Sequence, residues 1–298
     1  MTAFFQFSPK YELLFDYMKI FLTGGTGFIG SHFINRAHKM GQDVLALRRT
    51  GSNPRVPLHS HPNWIDGSMD GEFNNCFNDV DVFVHLAAHT ANYPYDNLEN
   101  CLYWNLTAPI GLIRQAAEQG VKKFIIAGSC FEYGSSANRV EELTVDSPLE
   151  ANNNYSISKA ASSIAFLGMA RQLEIQMKLL RIFQVYGDGE HESRLWPSLK
   201  KAALSGADLP MTLGEQIRDF IPVETVAALI LNAATDNSVQ NLGPEVKHIA
   251  TGAPQKTVDF VNYWWKRWGA TGKILVGALP YRRGEMMRII SAPESIFK

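Results

Sequence analysis

The 298-residue sequence predicts an α/β protein: a doubly wound parallel sheet followed by a smaller C-terminal α/β lobe. Three observations predict it. Short apolar runs alternate with longer segments of helical periodicity, a glycine-rich turn joins the first run to the first helix, and after Tyr186 the alternation gives way to Pro- and Gly-punctuated stretches. Parallel neighbours need a crossover helix, so repeated βαβ alternation selects this architecture.

The first convincing strand is Lys19 to Leu22, directly after Met18. The preceding segment, residues 1–17, carries Lys10, Glu12 and Asp16 among its apolar residues. It therefore lacks the h-region of a signal peptide, is too short and polar to span a bilayer, and reads as an N-terminal extension. A helix over Ile29 to Lys39 stops at Gly41. A strand over Val44 to Leu47 follows, then a short strand-like stretch ending at Asp66 and a strand over Val82 to Leu86. The helix Leu98 to Gln119 places Leu102, Leu106, Ile110 and Ile113 on one stripe and stops at Gly120. Strand Phe124 to Ala127, helix Tyr155 to Leu173 and strand Lys178 to Ile182 complete a unit over residues 18–186. These assignments rest on period-2 runs, three- and four-residue apolar spacing, and glycine stops. In residues 187–298, Val223 to Ala234 and Thr257 to Trp268 read as helices, and Trp264, Trp265 and Trp268 recur at helical spacing as packing residues of the smaller lobe.

Composition narrows the partners. Hydrophobic residues make up 46%, enough for a sizeable core. Lys plus Arg (28) balances Asp plus Glu (29) with no block of like charge, which points away from nucleic acid and membrane surfaces and toward a small molecule. The three cysteines, Cys76, Cys101 and Cys130, form no C-x-x-C pair, so a disulfide framework and a cysteine-rich zinc site are not expected and the setting expected is cytoplasmic. No metal site is expected: His59 and His61 lie in a Pro-rich loop, and His85 and His89 flank a strand end without an acidic cluster.

Thr23-Gly24-Gly25-Thr26-Gly27-Phe28-Ile29-Gly30 sits between the first strand and the first helix. Gly25, Gly27 and Gly30 satisfy G-x-G-x-x-G in the one context that gives the pattern meaning, a strand before and a helix after. Glycine permits the tight turn and the close approach of a pyrophosphate, and the helix N-terminus offers free N–H groups and a positive dipole end. This is the Rossmann dinucleotide turn, with Gly24, Thr26, Phe28 and Ile29 as further contacts. About 20 residues on, where an NAD site carries an acidic residue, stand Arg48 and Arg49. They suit the 2′-phosphate of NADP(H), the favoured cofactor, or are solvated loop residues in an NAD(H) site. Asp66 stands where it reaches an adenine amino group or merely ends a turn.

Tyr155 and Lys159 are four residues apart on one helix face. A phenol with a pKa of about 10 needs neighbouring positive charge to act as acid or base near neutrality, and Lys159 can supply it while holding the nicotinamide ribose hydroxyls. Ser129 follows the strand Phe124 to Ala127, at a carboxyl end, where open α/β sheets gather ligands.

These residues, with His85-Leu86-Ala87-Ala88, Asn105, Arg181 to Gly187, Arg218-Asp219-Phe220 and Tyr281-Arg282-Arg283-Gly284-Glu285, resemble the extended short-chain dehydrogenase/reductases, the NAD-dependent epimerase/dehydratase family of nucleotide-sugar enzymes. The resemblance implies Tyr155 as proton donor or acceptor, Lys159 as its electrostatic partner, Ser129 as ligand to a substrate oxygen, and hydride transfer at nicotinamide C4. It places Leu86, Ala87 and Ala88 beside the cofactor and Arg218 and Arg282 on the substrate pyrophosphate. Asn154 reaches the substrate or caps its helix. The implied substrate is a CDP-, dTDP-, UDP- or GDP-linked sugar, and the Leu98 to Gln119 helix resembles the family's dimer helix, implying a homodimer.

One departure bears on reaction type. Family dehydratases follow the hydroxyl residue with an Asp-Glu pair, where this chain has Cys130 and Phe131, with Glu132 one place off. Simple keto/alcohol chemistry at one carbon remains. The arginines after the second strand tilt the expectation to a reductase of a 4-keto-6-deoxyhexose nucleotide; the alternative is an NAD-dependent epimerase with a transient ketone. A non-catalytic cofactor sensor is the third reading, and intact Ser129, Tyr155 and Lys159 speak against it.

Overall fold

A computed structural model describes residues 17–237, 243–282 and 284–298. Residues 1–16, and with them nearly all of the expected extension, lie outside it, as does Arg283.

The chain opens with β1 (Lys19–Thr23), α1 (Phe28–Lys39), β2 (Asp43–Arg48), β3 (Asn63–Asp66) and β4 (Val82–His85). There follow α2 (Leu98–Leu102), a π-helical turn (Tyr103–Thr107), α3 (Ala108–Glu118), β5 (Lys123–Ser129), α4 (Asn154–Gln172), β6 (Gln176–Ile182) and β7 (Gln184–Tyr186). The remainder comprises α5 (Leu195–Ser205), β8 (Leu209–Met211), β9 (Ile217–Arg218), β10 (Phe220–Pro222), α6 (Val223–Thr235), β11 (Gly243–Ile249), β12 (Gln255–Lys256), α7 (Thr257–Arg267), β13 (Ile274–Val276) and β14 (Arg288–Ile289).

Seven strands form one sheet in the order β11-β6-β5-β4-β1-β2-β3, with every pair parallel. Its strands are apolar on both faces, because helices cover both: β1 reads Ile20, Phe21, Leu22, all fully buried. One face packs Phe33, Ile34 and Ala37 of α1 with Val226, Ile230 and Leu231 of α6. The other is rich in phenylalanine, with Phe21, Phe83 and Phe124 of three neighbouring strands stacked in a row and Phe166 of α4 beside them. Each such side chain contributes about 1.5–3 kcal/mol of burial. The sheet order reverses direction between β1 and β4, so their carboxyl ends, Thr23 and His85, flank the cleft where this architecture takes ligands.

The expected boundary at Tyr186 divides the sequence but not the sheet. Strand β11 returns from residue 243 to pair with β6, and α6 lies on α1. Within residues 187–298 the separate cluster is the one expected for the tryptophans: Trp196, Phe220 and Phe260 are buried, with Trp264, Trp265 and Trp268 packed against them. Among the described residues no helix is long and apolar enough to cross a membrane.

Candidate active site

The turn after β1 is built as its glycines require. Gly24 has φ +77, and a Cβ there would stand 2.5 Å from the Ala87 nitrogen, so the turn lies directly against the Leu86-Ala87 backbone after β4. Gly30 admits no side chain at all, since a Cβ would fall 2.0 Å from the Gly24 carbonyl. Gly27 caps α1 with extended backbone and no side-chain cap, which leaves the first N–H groups of the helix, at Phe28 and Ile29, without intrahelical acceptors. The cradle therefore fits a dinucleotide pyrophosphate by its own geometry: glycines where a Cβ would obstruct and free donors at a helix N-terminus. His85 closes the cleft floor, its Nδ1 2.7 Å from Thr23 Oγ1, and burial with the charge of Lys159 pushes its pKa down to about 3, so it is neutral.

Arg48 and Asp66, both expected at the adenosine end, engage each other. Arg48 Nε donates to Asp66 Oδ1 at 2.8 Å and its guanidinium lies 4.9 Å from the Trp64 ring centroid. Adjacent register of β2 and β3 puts Arg48 opposite Asp66, which sequence distance conceals. Arg49 is exposed at the strand end.

Strand β5 carries Ser129 (6% exposed) to the cleft, and α4 carries Tyr155 (8%) and Lys159 (3%). Helix α4 is capped by Asn153, whose side chain accepts from Ser156 N; Asn154 instead donates to the Asp96 carbonyl at 2.8 Å. Burial pushes the Tyr155 phenol up to about 12, against the nearby Ser129 hydroxyl and the charge of Arg194; the Ser129 hydroxyl accepts from Phe131 N–H at 3.2 Å. The expected acidification by Lys159 is not seen in this arrangement: the ammonium donates to the Ala127 carbonyl at 2.7 Å, and burial lowers its own pKa. Cys130 is buried with its thiol pushed up to about 12, and it packs with Tyr133, Leu143 and Phe183, with Phe131 against that cluster. Phe131 has no exchangeable proton and Cys130 stays a protonated thiol, so neither supplies a base at neutrality.

The π-helical turn places Asn105 behind the site, where it accepts from His89 N at 2.7 Å and donates to Ser158 Oγ at 2.9 Å, joining the loop after β4 to α4. That loop brings two aromatic residues that motif reading missed. Tyr95 stacks on Tyr155 with centroids 5.9 Å apart and planes 15° apart, and Tyr93 lies under the Arg282 guanidinium. A third missed residue, Arg194 just before α5, donates from Nε to Asn92 Oδ1 at 2.7 Å and from Nη2 to the Ala91 carbonyl at 2.9 Å. Its only sequence signal is its place before a helix-starting Leu195-Trp196-Pro197. Arg218 is 7% exposed and paired with Glu285 at 2.8 Å. No group of histidine, cysteine and acidic side chains able to hold a metal occurs among the described residues.

The sequence profile of the NAD dependent epimerase/dehydratase family matches residues 20–245. The chain belongs to this family. Among the relatives of this epimerase/dehydratase chain is a UDP-glucose 4-epimerase of Lactobacillus helveticus, 26% identical over 70% of this chain and 69% of its own. Another is a dTDP-4-dehydro-6-deoxy-D-allose reductase of a Streptomyces species, 27% identical over 68% of each. The solved structure of MoeE5 in complex with UDP-glucose and NAD has a TM-score of 0.72 and 26% identity, covering 87% of this chain and 86% of that one. The family and its relatives are nicotinamide-dependent nucleotide-sugar enzymes, epimerases, dehydratases and reductases, and this member is accordingly an enzyme of that kind.

Proposed function

We propose that this epimerase/dehydratase family member is an NAD(P)-dependent reductase of the C4 ketone of a nucleotide-linked 4-keto-6-deoxyhexose. The observation that carries the reading is what stands beside Tyr155: the two positions that hold an acid pair in dehydratases are a buried, protonated thiol and a phenyl ring packed into an apolar cluster, and neither supplies a base. Elimination needs a second acid or base at the sugar; reduction of one carbonyl needs a single proton.

In this mechanism the Ser129 hydroxyl binds the ketone oxygen and Tyr155, held protonated by burial, donates to it as the alkoxide develops. Lys159 holds ribose hydroxyls through its ammonium. A bound nicotinamide would supply the hydride to the sugar carbon, as the glycine cradle and the helix N-terminus at Phe28 and Ile29 permit. Arg194, Arg218 and Arg282 offer guanidiniums of the chemistry that suits a diphosphate, Arg194 held on Asn92, Arg218 on Glu285 and Arg282 over Tyr93. Two arginines at the end of β2 in place of an acidic residue support NADP(H), with Arg49 the guanidinium left for a 2′-phosphate.

One observation favours a second reading. With Arg48 held by Asp66 and Trp64, the 2′-phosphate site rests on Arg49 alone, which suits NAD and a retained cofactor, as an epimerase needs. The experiment that separates them supplies dTDP- and CDP-linked 4-keto-6-deoxyhexoses with NADPH or NADH, and UDP-hexoses without added cofactor. Stoichiometric oxidation of NADPH with a 4-hydroxy product is expected. Interconversion of UDP-hexoses with no net oxidation would establish the epimerase instead.

A further inference from the structure

We propose that the buried carboxylate of Glu132 is a positioning residue for the catalytic set, fixing Ser129 relative to α4. The proposal rests on reading Ser129, Tyr155 and Lys159 as that set.

Glu132 lies one place beyond the positions where dehydratases carry their acids, and it points away from the cleft, into the protein, with no exposure. Its two oxygens tie three elements together. Oε1 accepts from the Ser129 backbone N–H at 2.7 Å, at the end of β5. Oε2 accepts from Ser163 Oγ on α4 and from Arg181 Nε on β6, both at 2.9 Å. Gly128 makes room for this: a Cβ there would stand 2.9 Å from Glu132 Oε1. Ser163 sits one turn past Lys159 on α4, so a single carboxylate pins the strand end bearing Ser129 to the helix bearing Tyr155. Arg181 is held in turn by Tyr133 Oη at 2.8 Å and the Val145 carbonyl at 2.9 Å, so the anchor is itself fixed. Both carboxylate oxygens are thus engaged, by three hydrogen bonds of which one comes from a guanidinium.

Glu132→Gln keeps the size and an acceptor for Ser129 N–H but turns an amide nitrogen toward Ser163 and Arg181, which loosens the tether to α4 and β6. Its kcat should fall by about 10- to 100-fold, as expected when a reacting group is misplaced, while the cofactor dissociation constant stays within twofold of the parent. Ser163→Ala removes one tether, so kcat should drop several-fold with cofactor affinity again unchanged. Folded Glu132→Gln with parental kcat overturns the proposal. If that variant fails to fold, parental kcat in Ser163→Ala overturns it. A parent chain that binds cofactor but turns over no nucleotide sugar would defeat the functional reading alone; a crystal structure of Ser163→Ala then judges the positioning, with Ser129 displaced relative to α4 expected and an unmoved Ser129 overturning it.

Discussion

At the residue scale the phenol of Tyr155 decides what the site can do. Raised to about 12 by burial, it is protonated at neutral pH and a poor base, and so holds the proton that ketone reduction consumes; the Ser129 hydroxyl opposes that rise. Tyr155→Phe keeps the ring that stacks on Tyr95 and removes only the proton. Turnover should fall by about 10²- to 10⁴-fold while the cofactor dissociation constant stays within twofold; steady-state rates beside a fluorescence titration would check both, and unaltered turnover would remove Tyr155 from the mechanism. That Ser129 ends β5 while Tyr155 and Lys159 share one face of α4 was legible in the sequence, because each stands at a fixed place in a motif. The pairing of Arg48 with Asp66 was not, because it depends on the register of β2 against β3.

At the scale of elements the first β-turn-α unit carries the cofactor reading. Its strand, turn and helix were legible from an apolar run, glycine spacing and helical periodicity in succession, and α1 begins at Phe28, one residue before the expected Ile29. The helix expected over Leu98 to Gln119 is three pieces instead, since one π-helical turn at Tyr103–Thr107 widens it around Asn105. A turn widened by one residue leaves apolar periodicity nearly intact, so sequence cannot reveal it, and π-turns of this kind gather at functional sites. Strand β11 was missed for another reason: as an edge strand reading GPEVKHI it has no continuous apolar run. Gly30→Ala tests the unit. The added Cβ meets the Gly24 carbonyl at 2.0 Å, which a helix locked on its strand cannot yield without shifting the turn. Overpacking of this kind costs about 1–3 kcal/mol, and cofactor affinity should fall at least tenfold if, as proposed, the displaced donors hold the pyrophosphate. A parental dissociation constant in a folded Gly30→Ala chain would refute the cradle.

At the scale of the whole molecule the cleft is closed from two sides by one residue that belongs to neither motif. Arg194 stands at the start of α5, on the C-terminal side, and its guanidinium grips the loop after β4, at Asn92 and the Ala91 carbonyl. The same loop is braced from behind by Asn105 and by Asn154 on the Asp96 carbonyl, so Tyr95 is held over Tyr155 by contacts from α4, α5 and the π-turn together. Arg194 also carries positive charge toward Tyr155 and Cys130. Latch and charge separate by substitution. Asn92→Ala breaks one contact of the latch and spares the charge; Arg194→Ala removes both. If the guanidinium contributes to holding an anionic substrate, Arg194→Ala should raise KM for the nucleotide sugar by about tenfold or more, the loss expected of one charge-assisted hydrogen bond. Asn92→Ala should change it by a few-fold at most. Cofactor affinity should hold in both, because neither residue touches the turn after β1. Equal KM changes in the two variants would assign Arg194 to loop closure alone, and an unchanged KM in Arg194→Ala would remove it from the binding site.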